Sequence, residues 1–372
     1  MILTRGARVT GAVLCALLAV VVACWLIRDL GAADDQEQLW RYWAGFYDAR
    51  LHVMPATTGG DLVLLVVYLV AAGAALRSSV AATAMVATGV VTIAVRLPGL
   101  WTIGASGMNG RFSDDLRTRA LLCAFVALAA GITLIAAAGA GRRPPADFSE
   151  QVPSRTGQGA GVTAFLLLGV GGAVVAAWEI RQLVRLPELF PDWYVGGALG
   201  TQGLIDPPPG WSSALVVLLC LFAGVSALAG AVHARPFGLI AAAMLLPAGV
   251  TGVIRATHYD MLEHFGELPV ENQLLVLSWF LESAVAVVVL LVLARRGTAV
   301  APDHPHQGYG PGYGYPGPGP SGPPPPNRPP SFGPPPDQPP PSFGPPPDQP
   351  PPSFGPPPPN QPPPPAQPPP GW

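Results

Sequence analysis

Glu282 is the residue most open to a chemical role in this chain of 372 residues, because of where it falls. It sits in the run Ser278-Trp279-Phe280-Leu281-Glu282-Ser283, near the middle of the apolar stretch Leu274–Ala294. A carboxylate at the centre of a bilayer costs about 2.5–3.5 kcal/mol on insertion scales, so such groups turn inward and find partners. Glu282 is therefore a candidate intramembrane site for a proton or a cation. Its structural alternative is a hydrogen bond with Thr92, Thr251 or a backbone carbonyl. Arg28, Arg96, Arg181 and Arg255 form a second set, each at the outer end of an apolar run. A guanidinium binds carboxylate or phosphate through two parallel hydrogen bonds, so four of them could line an outward-facing anion cavity. The same positions suit snorkelling to lipid phosphates, or pairing with Asp29 and Glu179.

Other polar groups promise less. In Thr257–Gln273, helical spacing would gather His264 with Asp260 and Glu267, but the segment lacks HExxH and reads as a solvated face, with no metal site expected. Cys15, Cys24, Cys123 and Cys220 lie in apolar runs or at their ends, without CxxC or metal-ligand spacing, and read as small hydrophobes. Cys24 and Cys123 both fall near the outer face, which leaves one disulfide open. Walker A, GxSxG and Rossmann glycine patterns are missing, so no cofactor is expected. Nothing basic and interleaved with aromatics speaks for nucleic acid. In Asp34–Met54, Leu39, Trp43, Phe46 and Arg50 recur at helical spacing, predicting an amphipathic helix at the membrane surface.

The elements that must hold these residues are membrane helices. Half of the residues are hydrophobic and 11% are charged. The apolar runs predict eight spans: Val9–Ile27, Leu62–Leu76, Val80–Val95, Ala120–Ala140, Val162–Ile180, Ala214–Val232, Phe237–Ile254 and Leu274–Ala294. Leu62–Leu76 and Val80–Val95 are short enough to be two parts of one hairpin, which leaves seven or nine spans as alternatives. The first run has Arg5 and Arg8 before it but no prompt A-x-A site, and so reads as a retained helix.

The spans also repeat. Gly6–Leu30 lies over Gly159–Leu183 without a gap, placing Trp25, Ile27, Arg28 and Leu30 on Trp178, Ile180, Arg181 and Leu183. Val91-Thr92 and Arg96 return as Val250-Thr251 and Arg255, and Arg142-Arg143 returns as Arg295-Arg296. The expected architecture is all-α and polytopic: a four-helix unit over 1–143, a cytoplasmic linker over 144–158, a second unit over 159–296 and a disordered tail over 297–372. All 20 basic residues are Arg. Arg77 and Arg235 fall in the shortest loops, which by the positive-inside rule puts both termini in the cytoplasm of a plasma-membrane protein.

About half of the residues beyond Ala301 are Pro, and the unit Ser-Phe-Gly-Pro-Pro-Pro-Asp-Gln-Pro-Pro-Pro starts at Ser331 and Ser342 and returns altered at Ser353. Pro donates no backbone hydrogen bond, so polyproline II is the expected local conformation. Phe332, Phe343 and Phe354 would offer evenly spaced aromatic contacts to a protein partner, or merely punctuate a spacer. These features point first to a non-enzymatic membrane scaffold or envelope component that recruits partners through its tail. A transporter with a polar pathway between the two units comes second, and a membrane-embedded enzyme acting on a lipid-linked substrate third. The lipid bilayer is the one partner common to all three.

Overall fold

A computed structural model describes residues 2–46, 51–105, 108, 110–143, 154–197, 203–295 and 298–299. They belong to one compact unit, residues 1–306; a second unit, 307–372, lies outside the described residues, and with it Phe332, Phe343 and Phe354. The described fold is all-α, with eight helices long and apolar enough to cross a membrane. These are α1 (Arg5–Ala32), α3 (Gly59–Arg77), α4 (Ala81–Arg96), α6 (Asp114–Ala140), α7 (Gln158–Arg185), α8 (Pro209–Leu228), α9 (Ala234–His258) and α10 (Val270–Ala294). Two short helices lie between them, α2 (Gln36–Trp43) and α5 (Gly99–Thr102).

Local chemistry sets the helix ends. The Thr4 and Ser113 hydroxyls accept from backbone N–H groups in the first turns of α1 and α6. Ser78–Val80 separates α3 from α4, so the two short runs are two spans. α4 then runs through Leu97-Pro98 into α5, giving a membrane-length stretch of 22 residues, Ala81–Thr102; Pro98 keeps a helical φ of -59 and starts the last turn without strain. The helix expected at Ala214–Val232 instead spans Pro209–Leu228. It starts earlier because proline is well suited to a first helical turn, and it stops before Gly230, whose φ of 63 lies in the left-handed region.

α1 packs on α3, α3 on α4, α4 on α6, and α6 back on α1; α7, α8, α9 and α10 make the same closed ring. A two-residue antiparallel ladder joins the ends of each ring. Strand β1 (Ile2–Leu3), before α1, pairs with β2 (Arg142–Arg143), after α6; β3 (Ser154–Arg155), before α7, pairs with β4 (Thr298–Ala299), after α10. The longer connections gather at the opposite, distal end. Val13, Val20, Ile27, Val66, Val70, Ile132, Leu166 and Leu218 face outward, as lipid-facing positions should.

The two rings meet where α9 lies across α3 and α4. At the distal end the segment before α8 reaches into the first ring. Leu204 and Ile205 bury themselves among Trp25, Ile103, Met108, Phe112 and Ala120, and the Ile205 N–H donates to the Ala56 carbonyl at 3.1 Å. Trp211 of α8 donates to the Ala94 carbonyl at 2.8 Å, and its ring meets that of Trp101 edge to face.

Two surface expectations change. The amphipathic segment is helical for eight residues only; it stops before Gly45, which has a φ of 76, and buries Leu39 against the protein. Arg50 lies outside the described residues. The segment after α9 is no continuous helix: Asp260 takes a φ of 52, and only the short turn Phe265–Glu267 follows. His264 therefore bonds locally, with Nδ1 3.2 Å from the Asp260 carbonyl.

Candidate functional site

The densest buried polar cluster sits where the rings join. It is built from ends of helices, where hydrogen-bonding groups are left over. Thr58 precedes α3, and its N–H donates to the Asp61 carboxylate at 3.1 Å, the reach-back arm of a capping box. Asp61 also accepts Arg96 Nη2 at 2.6 Å, and Arg96 Nη1 donates to the Ile205 carbonyl at 2.7 Å. Both members of this ion pair are nearly closed to solvent, Asp61 1% and Arg96 6% exposed. The Thr58 hydroxyl turns to the other ring and donates to Asp206 Oδ1 at 2.9 Å. A neighbouring set ties α1 to the same loop: buried Asp29 accepts the Thr57 N–H at 2.7 Å and the Thr57 hydroxyl at 2.6 Å, and pairs with Arg28 at 2.5 Å.

The joint thus holds the carboxyls of Asp61 and Asp206 around one guanidinium, with Arg96 committed to Asp61 and to a carbonyl. Asp206 bears the imbalance. Burial first, and then the charge of Asp61, push its carboxyl up to about 7, against the Thr58 hydrogen bond and the more distant Arg96.

Asp206 also lines a cleft of about 330 Å³ between α3 and α4 on one side and α7, α8 and α9 on the other. The cleft runs from Thr58 and Asp206 at the distal end to Met244, about half-way along α9. Pro247 stands in its wall, within α9, and removes one helical hydrogen bond there. A second groove of about 310 Å³, almost wholly apolar, opens at the other end between α3, α4, α9 and α10. Arg235 borders it, with Nε and Nη2 donating to the carbonyls of Leu293 and Ala294.

Glu282 falls at the centre of α10, buried at 6% exposure. One turn before it, Ser278 accepts the Trp178 indole N–H at 2.8 Å; one turn after it, Val285 lies against Gly171. Glu282 thus faces the interior of the second ring. Thr92 bonds to Thr88 and Tyr68, and Thr251 to Pro247 and Ala248, so neither serves Glu282.

The four arginines occupy four settings. Arg28 pairs with Asp29 and Arg96 with Asp61. Arg181 pairs with Glu271 and lies over the Trp178 ring at 5.4 Å, while Arg255 stacks over Trp279 at 4.8 Å. Glu179 takes the Trp193 indole N–H and the Tyr194 hydroxyl. Cys24 and Cys123 are free thiols, as are Cys15 and Cys220. Among the described residues no three His, Cys, Asp or Glu side chains come together as metal ligands.

Asp29, Asp61 and Asp206 carry the cluster; sequence reasoning offered Asp29 only as a partner for an arginine, which Arg28 is, and passed over Asp61 and Asp206. Thr58-x-x-Asp61 was a readable capping pattern. Asp206 had no local signal, since the arginine that anchors its neighbour Ile205 is 109 residues away in the chain.

No family model matches the chain, and neither a known curated protein nor a solved structure shows significant similarity to it.

Proposed function

We propose that this is a carrier-type integral membrane protein, built from two related four-helix halves, that works through the cleft between them with Asp206 as its proton-linked group. The single observation that carries this is a lone carboxyl, its proton affinity raised by burial and by Asp61, in the wall of a cleft at the joint of the two rings. The relation of the halves is supported by their identical helix neighbours, by the ladder closing each ring, and by the recurrence of Trp25, Ile27, Arg28 and Leu30 as Trp178, Ile180, Arg181 and Leu183. Repeated halves with a polar site at their interface are the usual plan of secondary transporters. With both termini in the cytoplasm of a plasma membrane, the cleft opens outward. Pro247 and the close helix contacts around it would let α9 bend as the halves rock.

The test is reconstitution of the full chain in vesicles holding a pH-sensitive dye, followed by addition of pools of amines, amino acids, sugars and carboxylates. A solute-driven pH change that disappears in Asp206→Asn supports the carrier. A folded protein that moves protons with none of the pools overturns it. The scaffold role remains the alternative, favoured by the phenylalanine-bearing repeats at Ser331, Ser342 and Ser353. It predicts that a chain ending at residue 300 loses its cross-linked partners in the native host, whereas a carrier keeps its flux after the same cut.

A further inference from the structure

The lining of the distal cleft defines a ligand chemistry. Among the described residues, Asp206 is its one charged group. Ser212, Ser213 and Thr251 add hydroxyl groups, and most of the remaining wall is apolar, Trp43 included. Among the described residues, Thr58 is the one hydrogen-bond donor to Asp206, and it meets Oδ1. A volume of about 330 Å³ is at the small end of ligand pockets, which run from about 300 to 1,000 Å³. A hard metal ion would want about six oxygen ligands and finds too few here. An anion would meet the carboxylate. A cation with an apolar body satisfies every wall at once.

We propose that the cleft binds a small amphipathic ammonium ion, its N–H groups donating to Asp206 and its body lying against Trp43, Val63, Val216 and Met244. This rests on the cleft being the working part of the protein. The charged and titratable groups that act on Asp206 are Asp61 on α3 and Arg96 on α4, which pair with each other, while Tyr42 on α2 feels the Asp206 charge. The proton and the ammonium ion therefore compete for one carboxylate.

The experiment is calorimetric titration of the detergent-purified full chain with n-butylammonium chloride, and with n-butanol and butyrate as neutral and anionic counterparts. Measurements are made at about pH 8 and about pH 5.5, on either side of the Asp206 titration near 7. The expected result is saturable butylammonium binding at the higher pH, weakened roughly 30-fold at the lower pH by proton competition. It is lost in Asp206→Asn and retained in Asp206→Glu. Ser213→Phe, which fills the cleft while keeping the carboxyl, also abolishes it. Equal affinity for butanol, undiminished binding by Asp206→Asn, or no binding at the higher pH overturns the proposal. Vesicle flux with another solute but no ammonium binding overturns the ligand and spares the carrier; ammonium binding without any flux does the reverse.

Discussion

Asp61 and Arg96 form the kind of buried pair whose partners are each costly to remove, because the survivor is left as an uncompensated charge. Arg96→Gln should destabilise the fold by about 3–5 kcal/mol, and Arg28→Gln, whose side chain is part-exposed, by about 1 kcal/mol or less. Thermal unfolding in detergent reads both. Asp206 behaves differently, since its carboxyl is raised rather than lowered by the fold. The folded state holds the Asp206 proton more tightly than the unfolded chain does. This contribution is fully present below the ordinary carboxylate value of 3.8 and is lost as pH rises through about 7. Asp206→Asn should therefore gain on the parent protein steadily between those limits and then level off, the difference reaching roughly 5 °C in melting temperature. A flat difference across that range would show that Asp206 titrates normally. At this scale the sequence singled out Glu282, and the structure does bury it; the acids at helix ends looked like ordinary loop residues until their partners came into view.

The contact between α9 and α10 depends on two glycines one turn apart. A methyl group on Gly249 would come within 2.6 Å of the Ser283 backbone nitrogen, and one on Gly252 would strike the Trp279 ring over which Arg255 lies. Gly252→Ala should therefore cost about 1–3 kcal/mol through overpacking. Gly73→Ala in α3, with nothing within 4 Å of the added carbon, should be neutral or slightly stabilising, since alanine favours helix. Comparing the melting temperatures of the two variants isolates packing from helix propensity. All eight helices of membrane-spanning length and apolarity were legible from hydropathy, which integrates a property each residue carries by itself. Ends were less legible: the start of α8 was hidden in Pro207-Pro208-Pro209, which reads as a breaker and serves as a helix start. The short α2 was over-extended for a related reason, because aromatic periodicity continued past the point where Gly45 turns the backbone.

The two rings are held together by the segment before α8 as much as by the crossing of α9. Leu204 is fully buried at a site formed largely by the first ring, so Leu204→Ala should cost about 2–5 kcal/mol and lower cooperativity as well as melting temperature. An even number of spans puts β1 and β4 at the same end and the turn holding Asp260 at the other. In a cysteine-free background, an impermeant maleimide added to intact cells should label Asp260→Cys and spare Arg5→Cys if the termini are cytoplasmic; the reverse pattern would invert the proposed orientation. Sequence alone determined that eight stretches of the chain are long and apolar enough to cross a membrane, because transfer free energy needs no knowledge of distant contacts. The tertiary structure decided which polar groups matter. Arg96 became the anchor of the joint, and Asp206 a buried carboxyl with a raised proton affinity in a cleft wall, only when the segment before α8 came across to the first ring, since a buried charge takes its character from neighbours that the chain brings to it from far away.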